Sequence, residues 1–266
     1  MNKMKRNITL ADWKQAIKNG MKAVTLDFET SLMDVRTFYI GHKVQISCKQ
    51  IKKEKKIITA QLKWYGKKPY AYVWYKYKGN ITPTGPHFSD TQLLQLTGQD
   101  LAKADIIIGQ NLDRFDMKVM RERLVKLGLP PLDNKPTIDI LKLSRQSFAL
   151  ASHQLDHRSK EYGFGGKKRM QFEDWDDIQD GKVSPYKKMV PYGLKDVIDT
   201  EAIFNKEFDH YLTIPAKIVK IVNKFLDPVI KAVCLKCARA KQGSKYNVTV
   251  KGQKATCNVC GNSWKI

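Results

Sequence analysis

Thr25-Leu26-Asp27-Phe28-Glu29-Thr30 is the stretch from which the rest of the chain can be read. It closes a run that is apolar at Ala23, Val24, Leu26 and Phe28, which predicts a buried strand over Lys22–Glu29. Successive side chains on a strand alternate faces, so Asp27 and Glu29 point the same way while Phe28 turns into packing. Two neighbouring carboxylates on one face repel each other unless a cation lies between them. Taken alone, the pair also reads as a turn-forming Asp followed by a surface Glu.

Two further acidic clusters follow. Asn111-Leu112-Asp113-Arg114-Phe115-Asp116 comes after a short apolar strand expected at Asp105–Gly109 and opens a helix expected over Asp116–Leu127, closed by Gly128 and Pro130. Acidic residues at a helix start favour its dipole, which gives one Asp a structural role. That role does not account for the whole Asn-x4-Asp arrangement beside Phe115. In Tyr192-Gly193-Leu194-Lys195-Asp196, Tyr192 and Asp196 are four apart and share one helix face. Carboxylate oxygens are the ligands Mg²⁺ and Mn²⁺ prefer, and a pair of such ions clamps the attacking and leaving oxygens of a phosphodiester.

The ordered set Asp27-x-Glu29, Asn111-x4-Asp116 and Tyr192-x3-Asp196 resembles the DEDD exonuclease superfamily, which includes the proofreading domains of family A and B DNA polymerases and phage-type stand-alone exonucleases. Thr137-Ile138-Asp139-Ile140-Leu141-Lys142-Leu143, His153-Gln154-Leu155-Asp156 and Gly163-Phe164-Gly165-Gly166-Lys167 add to the likeness, which spans roughly residues 22–205. The resemblance implies an RNase H-like α/β fold, a mixed sheet flanked by helices. It implies that Asp27, Glu29, Asp116 and Asp196 bind two Mg²⁺ or Mn²⁺ ions, and that Tyr192 positions the attacking water. A second branch of the superfamily carries histidine five residues before the last aspartate. Pro191 stands there, so the tyrosine branch is the one that fits. Asp113 and Asp199 are the alternatives if the register is off by one turn. The activity implied is 3′→5′ exonuclease hydrolysis. Endonucleolytic use of the same metals, or an accessory binder built on a decayed nuclease fold, are the alternatives.

The remaining pattern agrees with a mixed sheet. Thr9 caps a short helix through Leu10, Trp13, Ala16 and Ile17, stopped at Gly20. Strands are expected at Lys43–Ile51, Ile57–Trp64 and Tyr70–Tyr77, the first two joined as a hairpin through Lys52-Lys53-Glu54-Lys55, with Cys48 as a small core residue. A helix is expected over Thr91–Ala104, and strand–helix alternation follows.

Near the C-terminus, Cys234-x2-Cys237 and Cys257-x2-Cys260 are separated by nineteen residues. Two such knuckles supply four thiolates in tetrahedral reach, which reads as one structural Zn²⁺, with iron and a disulfide pair as the alternatives. So small a module buries little core, and metal binding must supply much of its folding energy. Tyr246–Val250 reads as a ribbon strand, and Gly261 suits the turn around sulfur. The expected organisation is an exonuclease domain over 1–212, a basic helical linker over 213–231, and a zinc ribbon over 232–266. Lys241, Lys245, Lys251 and Lys254 are expected to touch nucleic acid; an end-cap or protein-docking knuckle is the other reading.

Charge points the same way. The 266 residues carry 48 Lys and Arg against 26 Asp and Glu, a formal +22, and an excess this large is most often used on a polyanion. Nucleic acid is the partner expected, with single-stranded DNA favoured and RNA second. Aromatics between Trp64 and Tyr77 alternate with lysines and suit single-stranded substrate, although the same residues favour half-buried strands. The Gly163–Arg169 run lacks P-loop spacing but can let backbone approach a phosphate; Lys167, Lys168 and Asn111 are nucleic-acid-binding candidates. No stretch reaches the ~18 apolar residues of a membrane span, and no apolar run follows the basic N-terminus. The expectation is a cytoplasmic protein, host cytoplasm for a phage origin, in which cysteines serve as ligands.

Overall fold

The apolar run around Asp27 forms strand β1 (Ala23–Thr30), the middle of a five-stranded sheet. The structure is a computed structural model that describes residues 8–38, 45–76, 81–82, 85–86, 89–166, 170–226, 248–251, 254–258 and 260–265. On one side β1 pairs antiparallel with β2 (Ile57–Trp64), which pairs antiparallel with β3 (Tyr70–Val73). On the other side β1 runs parallel to β4 (Ile106–Gly109), and β4 runs parallel to β5 (Thr137–Asp139). The order β3-β2-β1-β4-β5, flanked by helices, is the RNase H-like arrangement.

The α-helices among the described residues are α1 (Leu10–Lys18), α2 (Thr91–Lys103), α3 (Asp116–Lys126), α4 (Ile140–Ser147), α5 (Leu155–Glu161), α6 (Phe172–Gln179), α7 (Tyr186–Glu207) and α8 (Ala216–Leu226). α2 buries Leu93, Leu94, Thr97 and Leu101, the one-sided stripe of a helix lying on a sheet. Before α2, Asp90 accepts from the Ile57 amide at 3.1 Å and from Arg123 Nε and Nη2, each at 2.7 Å, which ties α3 to the start of β2.

Among the described residues, the strand expected over Lys43–Ile51 does not form. Residues 39–44 lie outside the described residues; Cys48–Gln50 is a 3₁₀ turn closed by a Ser47/Gln50 capping box, and Ile51–Lys53 pairs only with Asp34–Val35. The physical reason is that β2, the intended partner, has both edges taken by β1 and β3. Cys48 is accordingly exposed, not a core residue. Trp74–Lys76 is a 3₁₀ turn, so the third expected strand stops at Val73; Tyr77 lies outside the described residues.

By contacts the chain forms two compact units, Lys22–Thr213 and a second made of Met1–Met21 with Ile214–Ile266. In the second unit Thr9 and Asp12 form the capping box that starts α1. The Asn19 side chain donates to the Phe225 carbonyl at 2.8 Å, and α8 buries Ile218, Val219 and Val222. A three-stranded antiparallel sheet of β6 (Val248–Lys251), β7 (Lys254–Cys257) and β8 (Ser263–Lys265) ends the chain. No helix among the described residues is long and apolar enough to cross a membrane.

Candidate active site

β1 runs on past its pairing with β4, which covers only Ala23–Thr25. Beyond that limit the Phe28 amide donates to Asp116 Oδ1 at 2.9 Å, so the first residue of α3 takes the place of a strand partner. The chain reaches α3 through a tight turn. Gly109 suits that turn, since a Cβ would lie a tight 3.0 Å from the Leu26 carbonyl and from Leu112. Asn111 is left-handed (φ 59°), a conformation Asn tolerates, and its carbonyl accepts from the Phe115 amide at 3.0 Å.

Asp139, at the end of β5, holds this turn. Its carboxylate accepts from the amides of Asn111 (3.0 Å), Asp113 (3.2 Å), Leu141 (3.0 Å) and Lys142 (3.3 Å). One side chain thus caps α4 and fixes the entry to α3. The sequence signal for this role is an Asp directly before an apolar-periodic run, the N-cap pattern, within Thr137–Leu143.

These constraints place Asp27 and Glu29, two apart on β1, beside Asp196 of α7. The three carboxylates each offer an oxygen within 4.8 Å of the others. Asp116 is buried at 2% exposure; burial first, then the Asp27 and Glu29 charges, hold its carboxyl well above the usual carboxylate range. Three carboxylates within that distance offer the hard oxygen donors that suit a divalent metal ion, and Asp116, held by the Phe28 amide next to Asp27, lies beside the three rather than among them. Tyr192 is half-buried one helical turn before Asp196. The two alternative aspartates lie outside this group: Asp113 accepts from Thr137 Oγ1 at 2.7 Å, while buried Asp199 is paired with Lys195 and with Ser159 Oγ.

Other candidates are distributed differently. Trp64, Tyr70, Tyr72, Trp74 and Tyr75 pack against the hydrophobic core, and the Tyr70 and Tyr72 hydroxyls both donate to Asp100 at 2.7 Å, so these aromatics serve the sheet. Lys167, Lys168, Lys241, Lys245, Cys234 and Cys237 lie outside the described residues. Lys251 and Lys254 are register partners across the β6–β7 hairpin. Cys257 is buried at the end of β7 and Cys260 is exposed in the turn after it. That turn closes through Gly261 N to Cys257 O (2.9 Å) and Cys257 N to Asn262 O (2.8 Å), with Gly261 left-handed at φ 67°.

No protein-family model and no curated protein matches this sequence. Among solved structures, the fold is similar to the family B DNA polymerase of the hyperthermophilic archaeon Pyrobaculum calidifontis. The TM-score is 0.52 and the identity 13%, over 76% of this chain and 27% of the polymerase. The chain therefore spans about a quarter of the polymerase's length, and at that identity the likeness establishes the fold alone.

Proposed function

We propose that the chain is a divalent-metal-dependent 3′→5′ exonuclease acting on nucleic acid, with single-stranded DNA the favoured substrate. The observation that carries this reading is the meeting of Asp27, Glu29 and Asp196 within 4.8 Å, with buried Asp116 beside them. In this reading the four carboxylates hold two Mg²⁺ or Mn²⁺ ions, which would supply Lewis-acid stabilisation of the charge that builds on the phosphodiester. The Tyr192 hydroxyl, one turn from Asp196, orients the attacking water. The water oxygen forms a new bond to phosphorus and gives up a proton to solvent as the bond to the neighbouring 3′ oxygen breaks; that oxygen takes up a proton, so the strand keeps a 3′-hydroxyl and the terminal nucleotide leaves as its 5′-monophosphate. The shared fold with a DNA polymerase supports the choice of DNA. Asn111 and the basic run Lys167–Lys168 are proposed as substrate contacts. Cys234, Cys237, Cys257 and Cys260 are proposed to hold one structural Zn²⁺ in a ribbon whose lysines attract phosphate. The closed Cys257–Gly261 turn supports half of that ligand set.

Digestion of 5′-labelled single-stranded DNA and RNA with Mg²⁺, Mn²⁺ or EDTA tests the reading. A metal-dependent ladder shortening from the 3′ end is expected. A discrete internal cut would make the protein an endonuclease, and retention of intact strand would make it a binder.

A further inference from the structure

The face of β2 that lies under α7 carries Thr59, Gln61 and Lys63, alternating along the strand. In the antiparallel register these oppose Glu29, Asp27 and Thr25 of β1, so Gln61 is the direct cross-strand neighbour of Asp27 on the same face. Gln61 is fully buried. Its Nε2 donates to Thr59 Oγ1 at 2.6 Å, and its Oε1 is buried with no hydrogen-bond partner among the described residues. The Gln61 side chain lies against α7 at Gly193. A Cβ on residue 193 would come within 2.4 Å of Gln61 Nε2 and 2.5 Å of its Cδ. That is about 1 Å short of ordinary contact between non-bonded heavy atoms. α7 can therefore approach this closely only because residue 193 has no side chain, and only as far as the Gln61 amide allows. Glycine inside a helix costs about 1 kcal/mol relative to alanine, and the close approach accounts for its presence here.

The contact point is adjacent to the reactive groups. Tyr192 precedes Gly193, and Asp196 follows it by three residues. Further along α7, Glu201 is held by Lys63 Nζ at 2.6 Å and by the Gly66 amide at 3.2 Å, which fixes the helix lengthwise on the same strand. With that anchor in place, bulk added at position 193 has to be taken up by the buried Gln61 side chain or by the Tyr192–Asp196 turn of α7.

We propose that Gln61 and Gly193 form the spacer that sets the separation of α7 from β1, and so act as positioning residues that bring Asp196 and Tyr192 to Asp27 and Glu29. The proposal rests on the hydrolytic reading of the site given above. A ligand set confined to 4.8 Å tolerates little displacement, and a misplacement of about 1 Å at a reacting centre is enough to cost about a hundredfold in rate.

The test compares Gly193→Ala, Gln61→Ala, Gln61→Met and the double variant Gln61→Ala/Gly193→Ala, all in the full chain. Mn²⁺ affinity is followed by titration calorimetry, and kcat and KM on 5′-labelled single-stranded DNA are measured separately. Gly193→Ala is expected to lower kcat about a hundredfold and weaken Mn²⁺ binding about tenfold, with KM within about threefold of wild type. Gln61→Ala removes the spacer and lowers both quantities less; Gln61→Met keeps its bulk and retains both within a few-fold. In the double variant the new methyl occupies space the amide vacated, so kcat and Mn²⁺ affinity recover beyond either alanine single variant. Should Gly193→Ala fail to fold, the Gln61→Ala against Gln61→Met contrast still decides the matter. Equal behaviour of those two variants, or a double variant no better than the worse single one, overturns the proposal. If wild-type protein binds Mn²⁺ but hydrolyses nothing, the exonuclease reading fails by itself, and the spacer is still judged on Mn²⁺ affinity.

Discussion

Carboxylates are gathered in the Lys22–Thr213 unit in two opposite ways. At the junction of α5 and α7, Glu207 accepts from Arg158 Nη1 at 2.9 Å and from the Tyr162 and Tyr211 hydroxyls, each at 2.9 Å, while Arg158 is itself fully buried. Asp90 is matched in the same manner by Arg123 and the Ile57 amide. At the end of β1 the chain instead brings Asp27, Glu29 and Asp196 within 4.8 Å of one another and sinks Asp116 beside Asp27. A buried anion facing its own built-in cation stabilises a fold once formed, and anions facing anions oppose it. Buried acids supplied with cationic donors by the chain serve architecture. The carboxylates that meet at the end of β1 mark the place where, on the reading proposed here, a cation from solution completes the structure.

The comparison breaks most sharply at Asp27. Asp27→Ala or Asp196→Ala removes a proposed metal ligand, and loss of several kcal/mol of transition-state stabilisation corresponds to a fall in turnover on the order of a thousandfold. In EDTA the same variants should melt at or above the wild-type temperature, because a like charge has gone. Mn²⁺ should raise the melting temperature of the wild type and have little effect on that of the variants. Retention of most turnover in purified Asp27→Ala protein would sink the two-metal assignment. Arg158→Ala is the mirror case. It leaves Glu207 buried without its cation and should cost about 3–5 kcal/mol of stability in urea unfolding, with or without Mn²⁺. A loss under about 1 kcal/mol would mean that Glu207 is sustained by its tyrosines alone.

Much of the acidic centre was legible because its geometry is local. Asp27 and Glu29 share a face by strand alternation, and Tyr192 and Asp196 share one by helical spacing. How α3 meets β1 was not legible, since the Phe28–Asp116 bond joins residues 88 apart. The failed strand at Lys43–Ile51 has the opposite cause. Val44, Ile46 and Cys48 alternate as a strand should, but alternation carries no information on whether a sheet edge is available, and both edges of β2 were occupied. The grouping of α1 with the segment from Ile214 onward was equally invisible. Nothing in Leu10–Lys18 announces that the residue after it will reach the Phe225 carbonyl. Tertiary partners chosen across two hundred residues leave no periodic trace.

The C-terminal module extends the comparison to soft ligands. Elemental analysis of protein purified without chelator should find one Zn²⁺ per chain, lost on Cys234→Ser or Cys257→Ser, while circular dichroism reports an intact Lys22–Thr213 unit. Absence of zinc in the wild type would refute the site. A smaller effect is expected from isolating residues 22–213. Residues 214–266 carry eleven Lys and Arg and one acidic residue. Their removal should weaken binding of single-stranded DNA and flatten its dependence on log salt, with metal-dependent cleavage retained. Cutting only after Leu212 is the poorer version of this experiment, because α1 would remain without α8. An unchanged salt slope would make the ribbon a protein-docking or stabilising element.

The smallest effect separates ligand from helper inside the acidic centre itself. Tyr192→Phe keeps the ring, which is half-buried on α7, and every carboxylate; it removes one hydroxyl. If that hydroxyl only orients water, its loss is worth about one hydrogen bond, about 1–2 kcal/mol, and kcat should fall roughly tenfold. Mn²⁺ affinity and the Mn²⁺-induced rise in melting temperature should not change, since no ligand has been touched. Asp113→Asn supplies the control on the other side. Asp113 accepts from Thr137 Oγ1 at the turn before α3 and has no part in the carboxylate group, so its neutral amide should leave both kcat and Mn²⁺ affinity close to wild type. A Tyr192→Phe variant that lost Mn²⁺ affinity along with turnover would place the hydroxyl among the groups that hold the metal. An Asp113→Asn variant with the larger defect of the two would shift the register of the second acidic cluster by three residues and displace Asp116 from the assignment.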